Sequence, residues 1–241
     1  MDASQRTLSE TPSPRRWERY AWAGGIVFVV AVVVETAISV TIPISANDSA
    51  TKIATELYAH RTRLLAVFCV CVVYAASFPL YLWKLYDLLQ VNERRSRTLG
   101  VLILLGGGLQ IALHATSDVG IYGLLDAKLA SYATHHDPGI SYTLYLATYA
   151  IDSLADVFGS LFLLAAGLLA MRSRLLPGWL AWVAIAAAIF LFLQGFVLGG
   201  LIATFGLVLD LIGFLLFLVF VLLSSVMGLH RRTTSDAREF Q

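Results

Sequence analysis

Apolar residues in this chain are gathered into long blocks that are almost free of charge. Apolar residues make up 58% of the 241 residues and charged residues only 14%, against about 45–50% and about 25% in an ordinary soluble domain. A helix needs about 20 apolar residues to cross a bilayer, and every block reaches that length. We therefore predict an all-α, polytopic membrane helix bundle. The blocks cover residues 21–42, 64–83, 98–117 (with an alternative end at residue 125), 142–171 and 175–229.

The last block is too long for one crossing, and Asp210 is its only charged residue. A turn is expected at Gly199 and Gly200, because glycine accepts the positive φ angles that tight connections need. The first block exceeds the roughly 7–15 residues of a signal-peptide core, so we expect it to be retained as a helix. Six transmembrane helices result. The predicted organisation is a cytoplasmic tail at residues 1–20, a transmembrane domain at 21–229 and a second cytoplasmic tail at 230–241.

The placement of Lys and Arg residues gives an independent test of this count. With both termini in the cytoplasm, 13 of the 17 Lys and Arg residues fall in cytoplasmic segments and none falls within a span. Such a bias is the positive-inside rule. Aromatic side chains prefer the headgroup level, and several stand at the expected cytoplasmic helix ends. They are Trp17, Tyr20, Trp22, Trp83, Tyr86, Trp179 and Trp182.

Two of the segments expected outside the membrane are predicted to be ordered. Asp48 or Ser49 can cap a helix that runs through Ile53 and Leu57 into the second span. Residues 121–133 are interpreted as a short surface helix that ends in a turn around Asp137. In that turn His135 and His136 are adjacent. They could touch a metal, although exposed neighbouring histidines are ordinarily solvated.

Six ionisable residues lie inside or at the edge of the predicted spans. Acids at such positions usually face the interior of a bundle, because exposing them to lipid costs several kcal/mol. Counting about 20 residues from each cytoplasmic end places all six in the outer half of the membrane. We hypothesise that they line an acidic cavity, open to the outside, that binds a cation or a small cationic or lipophilic molecule. The six are Glu35, His114, Asp118, Asp152, Asp156 and Asp210.

Three other interpretations of these acids stay open. Arg61 and Arg63 could pair with two of them while water solvates the rest. A small membrane enzyme could instead use a protonated carboxylate, with Asp156 or Glu35 as general acid on an isoprenoid-like substrate. The chain could also be a non-catalytic scaffold or partner subunit. An enzymatic function is less favoured than a binding or structural one. The sequence leaves the oligomeric state undetermined.

Several other function classes find no support in the sequence. No Walker, Rossmann or zincin motif is present, and no basic patch or nucleic-acid-binding signature occurs. We therefore predict no cofactor, no metal ion and no nucleic-acid partner. Cys69 and Cys71 are two residues apart on one predicted helix, which places them on different faces and favours a packing role. Small residues such as Gly106 and the pair Gly195 and Gly199 are typical of close helix contacts in membranes.

Two stretches carry a resemblance to a known group of proteins. One is TKIATELYAHRTRLLA at residues 51–66, and the other is RSRLLPGWLAWV at residues 172–183. Together they resemble uncharacterised bacterial multi-pass membrane proteins that are common in actinobacteria. The resemblance implies a six-helix fold in the cell membrane, the inner membrane of a bacterium. It implies no activity and carries over no functional residue.

Overall fold

The computed structural model describes residues 14–45, 47–90, 97–194 and 206–238. Within these ranges the chain is helical and contains no strand, as the apolar blocks predicted. The α-helices are α1 (Pro14–Ser39), α2 (Ala50–Ala59), α3 (Arg61–Gln90), α4 (Arg97–His114), α5 (Ala127–His135), α6 (Gly139–Ser173), α7 (Gly178–Gln194) and α8 (Gly206–Arg238). A π-helix, Ala115–Asp126, joins α4 directly to α5.

Five helical segments among the described residues are long and apolar enough to cross a membrane. Helix α7 is equally apolar but has only 17 residues. Large apolar side chains also cover the outside of the bundle, where Leu105 is 57% exposed and Val30 is 56% exposed. Such a surface suits lipid and not water. The chain thus has the build of a multi-pass membrane protein. The five segments are Tyr20–Ser39, Arg61–Leu89, Arg97–His135, Gly139–Ser173 and Leu211–His230.

The third segment differs most from the sequence prediction. It does not end near Ser117 but continues through the π-helix and α5 to His135. Residues 121–133 are therefore part of one long helical segment and do not form a separate surface helix. The predicted turn at Gly199 and Gly200, and the pair Gly195 and Gly199, lie outside the described residues.

Glycines bring neighbouring helices into close contact. A Cβ atom added at Gly106 of α4 would lie 2.8 Å from both the Phe158 carbonyl oxygen and the Phe162 amide nitrogen of α6. At Gly167 of α6 it would lie 2.9 Å from the Ala181 carbonyl oxygen of α7. The expectation that Gly106 lies at a helix interface is therefore confirmed.

An aromatic cluster ties four helices together in the middle of the bundle. Phe28 of α1, Phe78 of α3 and Phe217 of α8 contact one another, with ring centroids 4.7–6.2 Å apart. Phe162 of α6 lies 6.0 Å from Phe78. These edge and tilted contacts are the favoured geometry for aromatic pairs. The cluster fixes α1, α3, α6 and α8 as one body, which positions the polar residues described below.

A smaller apolar cluster holds α2 and α5 over one end of the bundle. Ile53 and Leu57 of α2 are completely buried against Ala130 of α5. Ser49 caps α2, as predicted, because its Oγ accepts a hydrogen bond from the Lys52 amide at 3.3 Å. The ammonium group of Lys52 also donates to Asp48 at 2.8 Å, and this contact lowers the pKa of the Asp48 carboxyl.

The predicted interfacial aromatics divide into two groups. Trp83, Trp179 and Trp182 are between 55% and 63% exposed on the apolar surface, as expected for headgroup contacts. Trp22 differs, since it is only 2% exposed and its ring lies edge-on to Tyr81 at 6.2 Å. Its role is packing between α1 and α3. The side chain of Trp17 lies outside the described residues.

Candidate functional site

Four of the six predicted site residues come together between α4, the π-helix and α6. Nδ1 of His114 lies 3.2 Å from Asp152 Oδ1 and 3.7 Å from Asp118 Oδ2. Nε2 of the same ring lies 3.9 Å from Asp156 Oδ1. One imidazole is therefore surrounded by three carboxyl groups. We call His114, Asp118, Asp152 and Asp156 the acidic cluster.

Helix geometry explains why these residues meet. Asp118 follows His114 by four positions, and Asp156 follows Asp152 by four, so each pair shares a helix face. The close approach of α4 to α6 at Gly106 then places the two faces opposite each other. The cluster is not sealed, because the side chain of His114 is 27% exposed and that of Asp152 is 34% exposed.

Asp118 is held by two neighbouring hydroxyl groups. Tyr74 of α3 donates a hydrogen bond to Asp118 Oδ2 at 2.5 Å, and Ser117 donates to Oδ1 at 3.4 Å. Hydrogen bonds to an ionised acceptor are among the stronger ones in proteins. Sequence reasoning missed Tyr74 as a site residue. The available signal was weak: a tyrosine hydroxyl within an apolar span needs a partner, but the sequence does not say which.

Glu35 on α1 stands beside the acidic cluster. Its carboxyl group accepts hydrogen bonds from Ser39 at 2.5 Å and from Thr36 at 3.4 Å. It also interacts electrostatically with Asp152 and His114. The sequence prediction that Glu35 belongs with the acids of the third and fourth predicted spans is consistent with this position, although its hydrogen bonds are made within α1.

Gln110 lies one helical turn before His114 on the same face of α4. Its side chain packs on Gly159, where an added Cβ would lie 2.6 Å from the Gln110 amide nitrogen. Gly159 in turn lies three residues after Asp156, so the Gln110 amide packs next to the helical turn of α6 that carries Asp156. Gln110 is only 4% exposed, and its Oε1 has no hydrogen-bond partner. A buried, unpaired acceptor of this kind is uncommon and calls for an explanation.

The basic residues nearest to this end of the bundle are engaged elsewhere. The Arg61 guanidinium lies 4.8 Å over the ring of Tyr58 and donates to its carbonyl oxygen at 3.3 Å. Arg63 donates to the carbonyl and hydroxyl oxygens of Thr41 at 3.1 and 3.0 Å. Within the described part of the chain neither arginine pairs with a carboxylate of the acidic cluster. The alternative in which Arg61 and Arg63 neutralise two of the acids therefore finds no support among the acids whose side chains the structure describes.

Asp210, the sixth predicted residue, belongs to α8 by its backbone, but its side chain lies outside the described residues. Conversely, the structure adds an acid that sequence reasoning missed. Asp126 ends the π-helix with its side chain completely buried, and neither carboxyl oxygen has a hydrogen-bond partner. It was assigned to an exposed surface helix, so its burial was not anticipated.

The acidic cluster offers the atoms that a metal ion binds. One ligand atom from each of His114, Asp118 and Asp152 lies within 4.8 Å of the other two. The adjacent His135 and His136 do not share such a set: their Nδ1 atoms lie 2.7 and 3.2 Å from carbonyl oxygens of their own helix. Their interpretation as solvated histidines is thus the better one.

Comparisons with protein-family models, with curated protein sequences and with solved structures give no match for this chain. The function is therefore argued from the geometry of the acidic cluster.

Proposed function

We propose that this chain is a membrane protein whose acidic cluster binds a cation. The observation that carries the proposal is the convergence of three carboxyl groups on one imidazole inside an apolar helix bundle. Uncompensated negative charge is costly at such a place. Arg61 and Arg63, which the sequence analysis considered as partners for the acids, bind Tyr58 and Thr41 instead. A bound cation would balance negative charge in the cluster.

The proposed topology has six spans with both termini in the cytoplasm. Helix α7 has 17 residues, and at 1.5 Å per residue it is about 26 Å long, close to the roughly 30 Å of a hydrocarbon core. A sixth crossing through α7 keeps the Lys and Arg bias consistent with the positive-inside rule. In this topology the acidic cluster faces the outer side of a bacterial cell membrane. The proposed relationship to actinobacterial membrane proteins agrees with that location.

Depth within the bundle supports an outer-facing site. His114 lies 17 residues beyond Arg97 and Asp152 lies 20 residues before Arg172. At 1.5 Å per residue the cluster is about 26–30 Å from the helix ends that carry these arginines. This distance is close to the full thickness of the hydrocarbon core. Little of the hydrocarbon core therefore lies between the cluster and the outer side, from which a cation would reach it.

Cation binding is tested by the thermal stability of the full chain in lipid nanodiscs. Separate samples receive Na⁺, K⁺, Ca²⁺, Zn²⁺ or guanidinium as chloride salts at equal ionic strength. A cation that binds the folded state raises the melting temperature with its concentration. Asp152→Asn should abolish that rise, whereas Asp137→Asn, in the exposed turn before α6, should keep it. The rise should shrink as the pH falls, because protons compete for the carboxylates.

The result that contradicts the proposal is equally defined. If none of the five cations raises the melting temperature of the wild-type chain, the cluster is not a cation site. A stability gain in Asp152→Asn without any cation effect would point to a structural cluster. Stable co-purification with another membrane protein, unaffected by Asp152→Asn, would then favour a scaffold.

A further inference from the structure

We infer that the cation is a divalent first-row transition metal ion, bound by Nδ1 of His114 and by one carboxylate oxygen each of Asp118 and Asp152. This inference rests on the proposed function and specifies its ligand. It also departs from the sequence analysis, which predicted a cavity for a cation or small molecule and no metal ion.

The distances between the ligand atoms suit a small metal ion. Zinc binds histidine nitrogen at about 2.0–2.1 Å and carboxylate oxygen at about 2.0–2.2 Å. Two ligand atoms of a tetrahedral ion at these bond lengths are then about 3.4 Å apart. Nδ1 of His114 lies 3.2 Å from Asp152 Oδ1 and 3.7 Å from Asp118 Oδ2. All three ligand atoms lie within 4.8 Å of one another, so only small side-chain shifts are needed.

The types of donor select the class of metal. Ca²⁺ and Mg²⁺ take oxygen ligands, whereas an imidazole nitrogen beside carboxylates suits ions such as Zn²⁺, Fe²⁺ or Mn²⁺. No thiolate belongs to the set, which disfavours Cu⁺. Three protein ligands also leave a fourth position open for water or for a passing substrate.

Metal ligands in proteins are normally oriented by neighbouring residues, and the three proposed ligands have such neighbours. A histidine bound through one ring nitrogen commonly donates its other N–H to a carboxylate. Nε2 of His114 faces Asp156 Oδ1 at 3.9 Å. Ligating carboxylates are also commonly hydrogen-bonded, and Tyr74 donates to Asp118 at 2.5 Å. Tyr74 is therefore a positioning residue that orients Asp118, and Asp156 is a carboxyl neighbour of Nε2 at a distance beyond hydrogen bonding.

Gln110 gives a separate reason to expect a ligand. Its Oε1 is buried and unpaired one helical turn before His114, next to Gly159 and so close to Asp156. Leaving such an acceptor without a donor is destabilising. Water that enters with an ion is the kind of donor that this acceptor lacks. The orphaned amide oxygen is independent of the contacts among the acids themselves.

Charge balance favours the same occupant. The three proposed ligands, a neutral imidazole and two carboxylates, carry two negative charges, which a divalent ion cancels. The third carboxyl group of the cluster, that of Asp156, is not part of this balance. A neutral complex is far less costly in a low-dielectric environment than separated charges. Glu35 is satisfied by Ser39 and Thr36 and is not needed as a ligand.

The test measures Zn²⁺ binding to the full chain, purified in nanodiscs through an affinity tag without histidines. Isothermal titration calorimetry gives affinity, and elemental analysis gives stoichiometry. One Zn²⁺ per chain is expected. Asp156→Asn should weaken binding by about 10–100-fold, as for other residues that neighbour metal ligands. His114→Gln and Asp118→Asn should weaken it by more than that. The double variant His135→Ala/His136→Ala removes the exposed histidines and should bind Zn²⁺ as tightly as the wild type.

A spectroscopic measurement on the wild-type chain guards against variants that fail to fold. Cu²⁺ serves as the probe, and pulsed electron paramagnetic resonance should detect one imidazole nitrogen bound to it. Zn²⁺ binding lost in the His135→Ala/His136→Ala variant and kept in His114→Gln would mean an adventitious ion only, and would overturn the inference. Binding of Ca²⁺, K⁺ or guanidinium without Zn²⁺ would overturn it while leaving the proposed function standing. Failure of every cation would overturn both.

Discussion

Asp126 is a single residue whose surroundings conflict with its chemistry. It is completely buried and both of its carboxyl oxygens lack a hydrogen-bond partner. A carboxyl group in that position must either give up its charge or bury it uncompensated, and both outcomes cost stability. Asp126→Asn keeps the shape and removes the cost of burying or neutralising a charge, but its amide is still a buried polar group without a partner. We therefore expect a gain in stability that is smaller than about 1–3 kcal/mol, the full penalty for a buried unsatisfied group.

The measurement is thermal unfolding in one detergent, followed by tryptophan fluorescence. Asp137→Asn is the matched control, because Asp137 is exposed and accepts a hydrogen bond from the Gly139 amide at 3.0 Å, which asparagine can also accept. Its stability should change by less than about 0.5 kcal/mol. A loss of stability in Asp126→Asn would show that the carboxylate has a partner in the membrane and would give Asp126 a functional role.

The sequence reveals acids within spans far better than it reveals their neighbours. Asp118, Asp152 and His114 were predicted as site residues because a charge within an apolar block is visible at once. Tyr74 and Gln110 were not predicted as site residues. A tyrosine or a glutamine disturbs the hydropathy of a span very little, and its partner is set by contacts between helices.

The contact between α4 and α6 is the element-scale feature that builds the site, and Gly106 makes it possible. We expect Gly106→Ala to push the two helices apart, because its Cβ would lie 2.8 Å from backbone atoms of Phe158 and Phe162. Forcing atoms into a packed interface costs about 1–3 kcal/mol. The expected result is a lower melting temperature together with weaker cation binding.

Gly108 provides a control two residues away on the same helix. A Cβ added there meets nothing within 4 Å, and alanine is favoured over glycine in a helix by up to about 1 kcal/mol. Gly108→Ala should therefore be neutral or slightly stabilising and should bind the cation normally. Equal losses in the two variants would show that the helix contact does not control the site.

The helical segment Arg97–His135, which contains α4, the π-helix and α5, was only partly predicted from the sequence. The start of α4 at Arg97 agrees with the predicted start at residue 98, since a charged residue marks the membrane edge. The sequence allowed an extension of this span to residue 125 but did not predict the π-helix, because a switch from i→i+4 to i→i+5 hydrogen bonding leaves no periodic signal. Such segments are frequent at functional sites, and here Asp118 and Asp126 both lie within one.

At the scale of the whole molecule, the polar and apolar contacts of the bundle are separated by depth. The aromatic cluster around Phe78 fills the middle, and the acidic cluster lies toward the end covered by α2 and α5. The sequence predicted that the acids lie toward one end of the spans, because counting residues from the charged helix ends gives depth, but it did not predict the aromatic cluster. It did not predict which helices are neighbours, since hydropathy carries no information about pairing.

The number of crossings is decided by α7, which is the one apolar helix shorter than 18 residues among those described. If α7 crosses the membrane, the end of α8 lies on the cytoplasmic side. If α7 enters and returns, that end lies outside and Arg231 and Arg232 violate the charge bias. Cysteine labelling separates the two cases. The background is Cys69→Ala/Cys71→Ala, and the single reporters are Lys52→Cys, Asp137→Cys, Gly178→Cys and Thr234→Cys.

A membrane-impermeant maleimide applied to intact cells should label Lys52→Cys and Asp137→Cys, which are exposed positions. Gly178→Cys, where an added Cβ meets nothing, should react only after lysis. Thr234→Cys decides the count: with six spans it reacts only after lysis, because the C-terminal arginines stay in the cytoplasm. Labelling of Thr234→Cys in intact cells would remove α7 from the spans. Labelling of Lys52→Cys only after lysis would invert the bundle and turn the acidic cluster toward the cytoplasm.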